Sequence, residues 1–409
     1  MADERHKSKL SYFKQILLPG GPGPGLAGSS MFYAPATPTV PGRWSLLLAP
    51  ALLVVAGCGG PTAADVTGGS PDGPTRARLC GRIDAALDHA RAARLLDADV
   101  QGAWQVVHGV LAFGAELPLA HDGTVSPALD HLLGGGRLTG WLLRPGKPGV
   151  IAVVEEGSTM GQGHPDQWLG YLSQCGVDAD GPGGLPLDTP LTVAGRAFTL
   201  GDLLAQAQHD IRPGQEATWT LMALAAYVPT DASWTAGDGS QWDVERVVRM
   251  EAEADIFSAA CGGAHRLYGL AAAVAARRAS GLPIEPDSGW AQAEAVLEDA
   301  IDRARVFQQA DGSFSIHSFE RPGTSPDVFA RLGATGHVFE VIALALPDDR
   351  LREPWVTRAA DRLVTLLEQT ADLDVECGGL YHAAHGLSLY RRRTCLKNPL
   401  PAASGSRME

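Results

Sequence analysis

Two stretches of this chain combine thiol and imidazole side chains with glycine turns. One is Cys261-Gly262-Gly263-Ala264-His265-Arg266-Leu267-Tyr268-Gly269-Leu270; the other is Cys377-Gly378-Gly379-Leu380-Tyr381-His382-Ala383-Ala384-His385-Gly386-Leu387. In each, a Gly-Leu pair follows a His by four residues, about one helical turn, so His and Gly share a helix face. Thiolate and neutral imidazole are ligands for zinc, and imidazole is also a general base. Cys261, His265 and His382 are therefore candidate metal ligands, with His337 as an alternative to His382, and His265, His337, Glu340, His382 and His385 are candidate catalytic groups. The bland alternative for each histidine is a core side chain bonded to a backbone carbonyl, and for each cysteine a small buried apolar residue.

The elements that must position these groups read as helix pairs. An amphipathic, charged helix precedes an apolar one six times, with the apolar helices starting near residues 104, 165, 217, 263, 336 and 381. An all-round apolar helix must be covered on every side. Six such pairs at a loose period therefore predict an inner ring of buried helices inside an outer ring. Helix N-termini carry partial positive charge, which keeps histidine neutral there. Six of the twelve histidines (His108, His164, His265, His337, His382 and His385) fall near these starts. A short strand at 150–154 and a hairpin turned at Ala194-Gly195 are the β elements expected.

The segment Gln308-Gln309-Ala310-Asp311-Gly312-Ser313-Phe314 resembles the Q-x-x-G-x-aromatic signature of the terpenoid cyclase and protein prenyltransferase superfamily. Tyr381-His382 with Gly386-Leu387-Ser388-Leu389 is similar to the closing repeat of protein prenyltransferase β subunits. The resemblance implies an all-α fold, an α/α toroid of about six helical hairpins, here with minor β-hairpin insertions. It also implies zinc and an isoprenoid or other small molecule in the barrel. The family's Asp and Cys ligands stand two apart, whereas Asp255 and Cys261 are six apart and Asp374 and Cys377 three apart. The Asp-x-Asp-Asp acid of the class II cyclases has no counterpart; Asp372-Leu373-Asp374-Val375-Glu376 is the nearest approach.

A different chemistry fits the same architecture. A glycan-active (α/α) barrel needs two carboxylates across a cleft and aromatic platforms. Glu216, Glu340 and Glu376 are candidate acids, and Trp104, Trp168 and Trp219 candidate platforms. A non-catalytic binding or scaffold protein is the third reading.

Composition and address limit the partners. Hydrophobic residues make up 45% and charged residues 19%, a globular balance. Net charge is −13, and residues 1–58 are themselves basic, so the remainder is more acidic still. Such a surface argues against nucleic acid. The apolar run 45–56 is too short to span a bilayer as a helix but suits a signal-peptide core. It ends in Val55-Ala56-Gly57-Cys58, which resembles the lipobox of bacterial lipoproteins and makes Cys58 the expected lipidation site. A start at Met31 in place of Met1 gives that signal an ordinary length. The expected organisation is an extension plus signal at 1–58, a Gly/Pro-rich tether at 59–78, the toroid at 79–392 and a disordered tail at 393–409. The address is the bacterial cell envelope, with a lipid anchor in the membrane. The five cysteines after Cys58 lack CxxC spacing and leave room for one or two disulfides.

Overall fold

The computed structural model describes residues 73–156, 158, 163–175 and 184–396. They form a mainly helical protein with twelve α-helices and four small sheets. The apolar run 45–56 and Cys58 lie outside the described residues.

Six helices carry the buried apolar sequences: α2 (Ala103–Phe113), α4 (Gln167–Leu172), α6 (Thr218–Tyr227), α8 (Ala264–Ala279), α10 (Val328–Ala345) and α12 (Cys377–Arg391). Each packs against the next in that order, and α12 packs back on α2. The other six are α1 (Gly73–Ala92), α3 (Ala128–Leu133), α5 (Leu200–Asp210), α7 (Val244–Glu253), α9 (Gly289–Phe307) and α11 (Pro354–Gln369), and they pack against members of the first set. Their one-sided burial follows from pattern. In α7, Val244, Val247, Val248, Glu251 and Ala252 are buried, and the Asp243 carboxylate caps the helix by accepting the Arg246 N–H. α10 is long and apolar enough to cross a membrane by length and composition, but here it is a core helix between α8 and α12.

Glycine brings α10 and α12 into close contact. A methyl group at Gly336 would lie 2.9 Å from the Ala383 backbone, and one at Gly386 3.0 Å from the Glu340 backbone. With no Cβ at these positions the two backbones approach until Glu340 reaches across to α12. The pairings 336–383 and 340–386 advance together, so the two helices run parallel.

The β elements are hairpins that lead into helices. β2 (Pro118–His121) and β3 (Thr124–Pro127) precede α3 and pair with the short β1 (Leu96–Asp97); β4 (Trp141–Pro145) pairs with β5 (Val150–Val154). β6 (Pro190–Val193) and β7 (Arg196–Thr199) turn at Ala194-Gly195, both at positive φ, and lead into α5. β8 (Ser233–Thr235) and β9 (Gln241–Asp243) lead into α7.

Several boundaries differ from those expected. α10 begins at Val328, eight residues before Gly336, because the Asp327 carboxylate accepts the Phe329 N–H and supplies a cap. α1 begins at Gly73, inside the segment read as tether. Residues 393–396, assigned to a disordered tail, continue the fold as a π-helical turn. They are anchored by the Cys80–Cys395 disulfide and by Arg393, which donates to the Ala343 and Leu344 carbonyls. The Gln308-Gln309 turn is likewise structural: the Gln308 amide donates to the Gly312 and Trp355 carbonyls and ties α9 to α11.

Candidate metal centre

The polar interior is concentrated where α2, α8, α10 and α12 meet. The ring centroids of His265 and His382 lie 4.8 Å apart, those of His337 and His382 4.2 Å, those of His265 and His337 5.3 Å, and those of His108 and His382 5.2 Å. Four imidazoles from four helices thus form one cluster. Cys261 completes it: its Sγ and one ring nitrogen each of His265 and His337 all lie within 4.8 Å of one another.

Local conformation puts the thiol there. Cys261, Gly262 and Gly263 have φ of 55°, 62° and 84°, three consecutive left-handed residues ahead of α8. Glycine adopts this readily; cysteine does so under strain. The Glu251 carboxylate, buried on α7, fixes this region relative to α6. It accepts from the Ala217 N–H and the Thr218 hydroxyl, and from the Arg266 guanidinium at 3.0 Å.

Three of the four cluster imidazoles, and His385 beside them, have a hydrogen-bonded anchor that sets the tautomer. His337 Nδ1–H donates to the Gly333 carbonyl at 2.7 Å, which leaves Nε2 as the ligating or basic nitrogen. His108 uses the same device with Trp104 at 2.6 Å, and its Nε2 accepts from the Tyr171 hydroxyl at 3.1 Å. His382 and His385 donate from Nδ1 to the two oxygens of buried Glu340, at 2.9 and 2.5 Å. The fourth cluster imidazole, His265, bonds the Cys261 sulfur and packs between Trp219 and His382.

The charges follow. Burial raises the Glu340 pKa, but His382 and His385 outweigh it and hold the carboxylate well below its usual range. Burial keeps His108 and His265 neutral, and it lowers His382 too, against the pull of Glu340. Desolvation opposes a thiolate at Cys261, yet His337 and His265 bring its pKa well below an ordinary thiol. Burial also opposes a charge on His337; the Cys261 sulfur overcomes it and carries His337 to about 9. Cys261 and His337 form a thiolate–imidazolium pair, the charge state that a divalent cation would replace by displacing the proton.

Compared with family models, with curated proteins and with solved structures, this chain matches none.

The structure brings His265, His337 and His382 together, with Glu340 behind His382. In the three-residue group around Cys261 it is His337, in place of His382, that accompanies His265. His382 is drawn toward Glu340 and borders the group. His385 lies a turn further along α12, beyond Glu340. Cys377 stands apart from this group: burial and the Glu376 charge raise its pKa well above an ordinary thiol. Of the candidate acids, Glu216 bonds His164 at 2.7 Å and Glu376 accepts the Gly378 and Gly379 N–H groups. Trp219 is a packing residue with His164 stacked on it, their centroids 4.3 Å apart. Sequence reasoning missed Tyr171 and the buried Glu251–Arg266 pair. A polar residue on the buried face of each helix was the available signal. The Trp104 indole N–H, beside His108, is buried without an acceptor among the described residues.

Proposed function

We propose that this protein is an α/α toroid carrying a zinc-dependent hydrolytic site, with Cys261, His265 and His337 as ligands and a fourth position open. The observation that carries the reading is the convergence of one sulfur and two imidazole nitrogens within 4.8 Å, bordered by a third, carboxylate-held imidazole. One Cys and two His are borderline-soft donors that suit zinc, and three protein ligands are the number found at catalytic sites. Bound there, zinc would supply Lewis acidity and a water of lowered pKa.

The chain's own residues do the rest. Gly333 orients His337, and Glu340 orients His382, so that Nε2 of each is the available atom. His382 Nε2 is then placed to take a proton at the cluster while Glu340 stabilises the imidazolium that results. The Trp104 indole N–H is a donor for a substrate oxygen. The closed packing order of the six inner helices supports the toroid. In the glycan alternative Glu340 would be the ionised carboxylate and not the acid, because its two histidines hold it ionised.

For the address we infer export and lipid anchoring at Cys58. Its structural support is the Cys80–Cys395 bridge, since disulfides persist in oxidising compartments.

Elemental analysis of full-length protein purified without chelators tests the site. About one equivalent of zinc is expected, falling to near zero in Cys261→Ala and His337→Ala, with folding checked by circular dichroism. A wild-type protein that retains no zinc after loading and dialysis would overturn the reading.

A further inference from the structure

The other end of the inner helices holds a second feature that the metal centre does not use. A cleft of about 550 Å³ opens where α2, α4 and α12 finish, between Phe113, Gln174, His385 and the arginines that end α12. Leu87, Leu111 and Leu396 give it apolar walls.

Three arginines follow one another at the end of α12, and two of them are engaged. Arg391 pairs with Asp84, and Arg393 with Asp348 and the Ala343 and Leu344 carbonyls. Arg392 lines the cleft half-buried, with no carboxylate partner among the described residues. Cations at a helix C-terminus are ordinarily explained by the dipole. That explanation covers an exposed arginine better than one that has lost solvent without gaining an anion. Burial makes its charge costly, and the neighbouring Arg391 charge adds to that cost. Arg91, also on the cleft wall, adds a third guanidinium. Asp88 and Glu116 at the rim are exposed, so their charges are screened by water.

We propose that this cleft binds a small amphiphilic oxyanion, a carboxylate or phosphate monoester with a short hydrocarbon part. Arg392 is the principal contact to the anionic group, and the leucines and Phe113 receive the tail. The volume falls within the usual range for small-molecule sites. Guanidinium is the side chain best matched to a planar or tetrahedral oxyanion. The floor of the cleft is His385, which shares Glu340 with His382, so an occupant also lies one carboxylate away from the histidine cluster.

Calorimetric titration of the full chain with hexanoate, hexyl phosphate and hexanol tests this independently of the metal. One or both anions should bind while hexanol does not, and the preferred anion identifies the head group. Arg392→Gln should weaken binding about tenfold or more, the loss of a charge-assisted bond. Arg392→Lys should retain part of the affinity, and Cys261→Ala should leave it unchanged. The His385 ring resonances should shift on titration with the anion that binds. Equal binding of hexanol and hexanoate, no binding of either anion, or full affinity in a folded Arg392→Gln protein would overturn the proposal. Failure of the zinc assay leaves these outcomes untouched.

Discussion

Cys261-Gly262-Gly263 and Cys377-Gly378-Gly379 are the same triplet, each just ahead of a histidine on a buried helix, and they are built differently. At the first, three left-handed residues turn the chain before α8 begins at Ala264. At the second, the triplet is already helical and forms the first three residues of α12. The preceding residue separates them. Glu376 accepts the Gly378 and Gly379 N–H groups and starts the helix at Cys377. Ala260 has no side-chain acceptor to offer, and the turn persists for three more residues. Both thiols lie near a helix N-terminus, so the dipole does not distinguish them. Their neighbours do. Two imidazoles draw Cys261 toward thiolate, while burial and a carboxylate keep Cys377 a thiol.

Thiol reactivity tests that contrast most strongly. In chelator-treated protein at pH 6, Cys261 should react with iodoacetamide on the order of 100-fold faster than an ordinary thiol, which is almost wholly protonated there. Cys261→Ser should remove the fast phase and Cys377→Ser should leave it. Equal rates at the two cysteines, followed by peptide mass spectrometry, would remove the electrostatic distinction.

The next effect concerns what balances charge at each helix start. Glu340 serves the α12 histidines as the Cys261 thiolate serves His337. Glu340→Gln should cost about 1–3 kcal/mol at pH 7, since a buried imidazole N–H loses its anionic acceptor. The sign of its pH dependence follows from a depressed folded pKa. The stabilisation is complete above the ordinary carboxylate value of 4.5 and is lost as pH falls toward the lower folded value. Urea denaturation should show wild type and variant well separated at pH 7 and converging in acid. A separation that stays constant with pH would show that the carboxylate is not charged in the fold.

The buried helices were legible in sequence because an all-round apolar run has few other uses, and their polar interruptions pointed to His265, His337 and His382. Gly386 was legible only as sharing a helix face with His382, and its close approach to the Glu340 backbone was not. What could not be read was conformation within a repeated motif. Cys-Gly-Gly suggested equivalent turns, and the difference lay in a side chain just outside the triplet. The third member of the Cys261 group stayed open between His337 and His382. His382 and His337 both belong to the cluster, and a carboxylate 42 residues from His382 decides which of them is drawn away from the sulfur. The start of α10 was missed because Asp327 caps a first turn that the apolar pattern does not mark. The Cys80–Cys395 pairing spans 315 residues, a separation at which spacing carries no information.

The smallest expected effect comes from the cap itself. Glu376→Ala removes both acceptors of the α12 amides and a negative charge that favours a helix N-terminus, together about 1 kcal/mol. The side chain is exposed, so water replaces part of the lost bonding and the cost stays near that value. The first turn of α12 should fray and the Cys377 pKa should fall, because the carboxylate charge that raises it is gone while burial, the larger cause, remains. His382 lies five residues into the helix and is held by Glu340, so the fast reaction of Cys261 should not change. Hydrogen exchange at Gly378 and Gly379 measures the fraying, and Cys377 alkylation against pH measures the shift. If exchange at these amides is unaltered, the cap does not decide where α12 begins, and the contrast between the two triplets must come from the glycine turn alone.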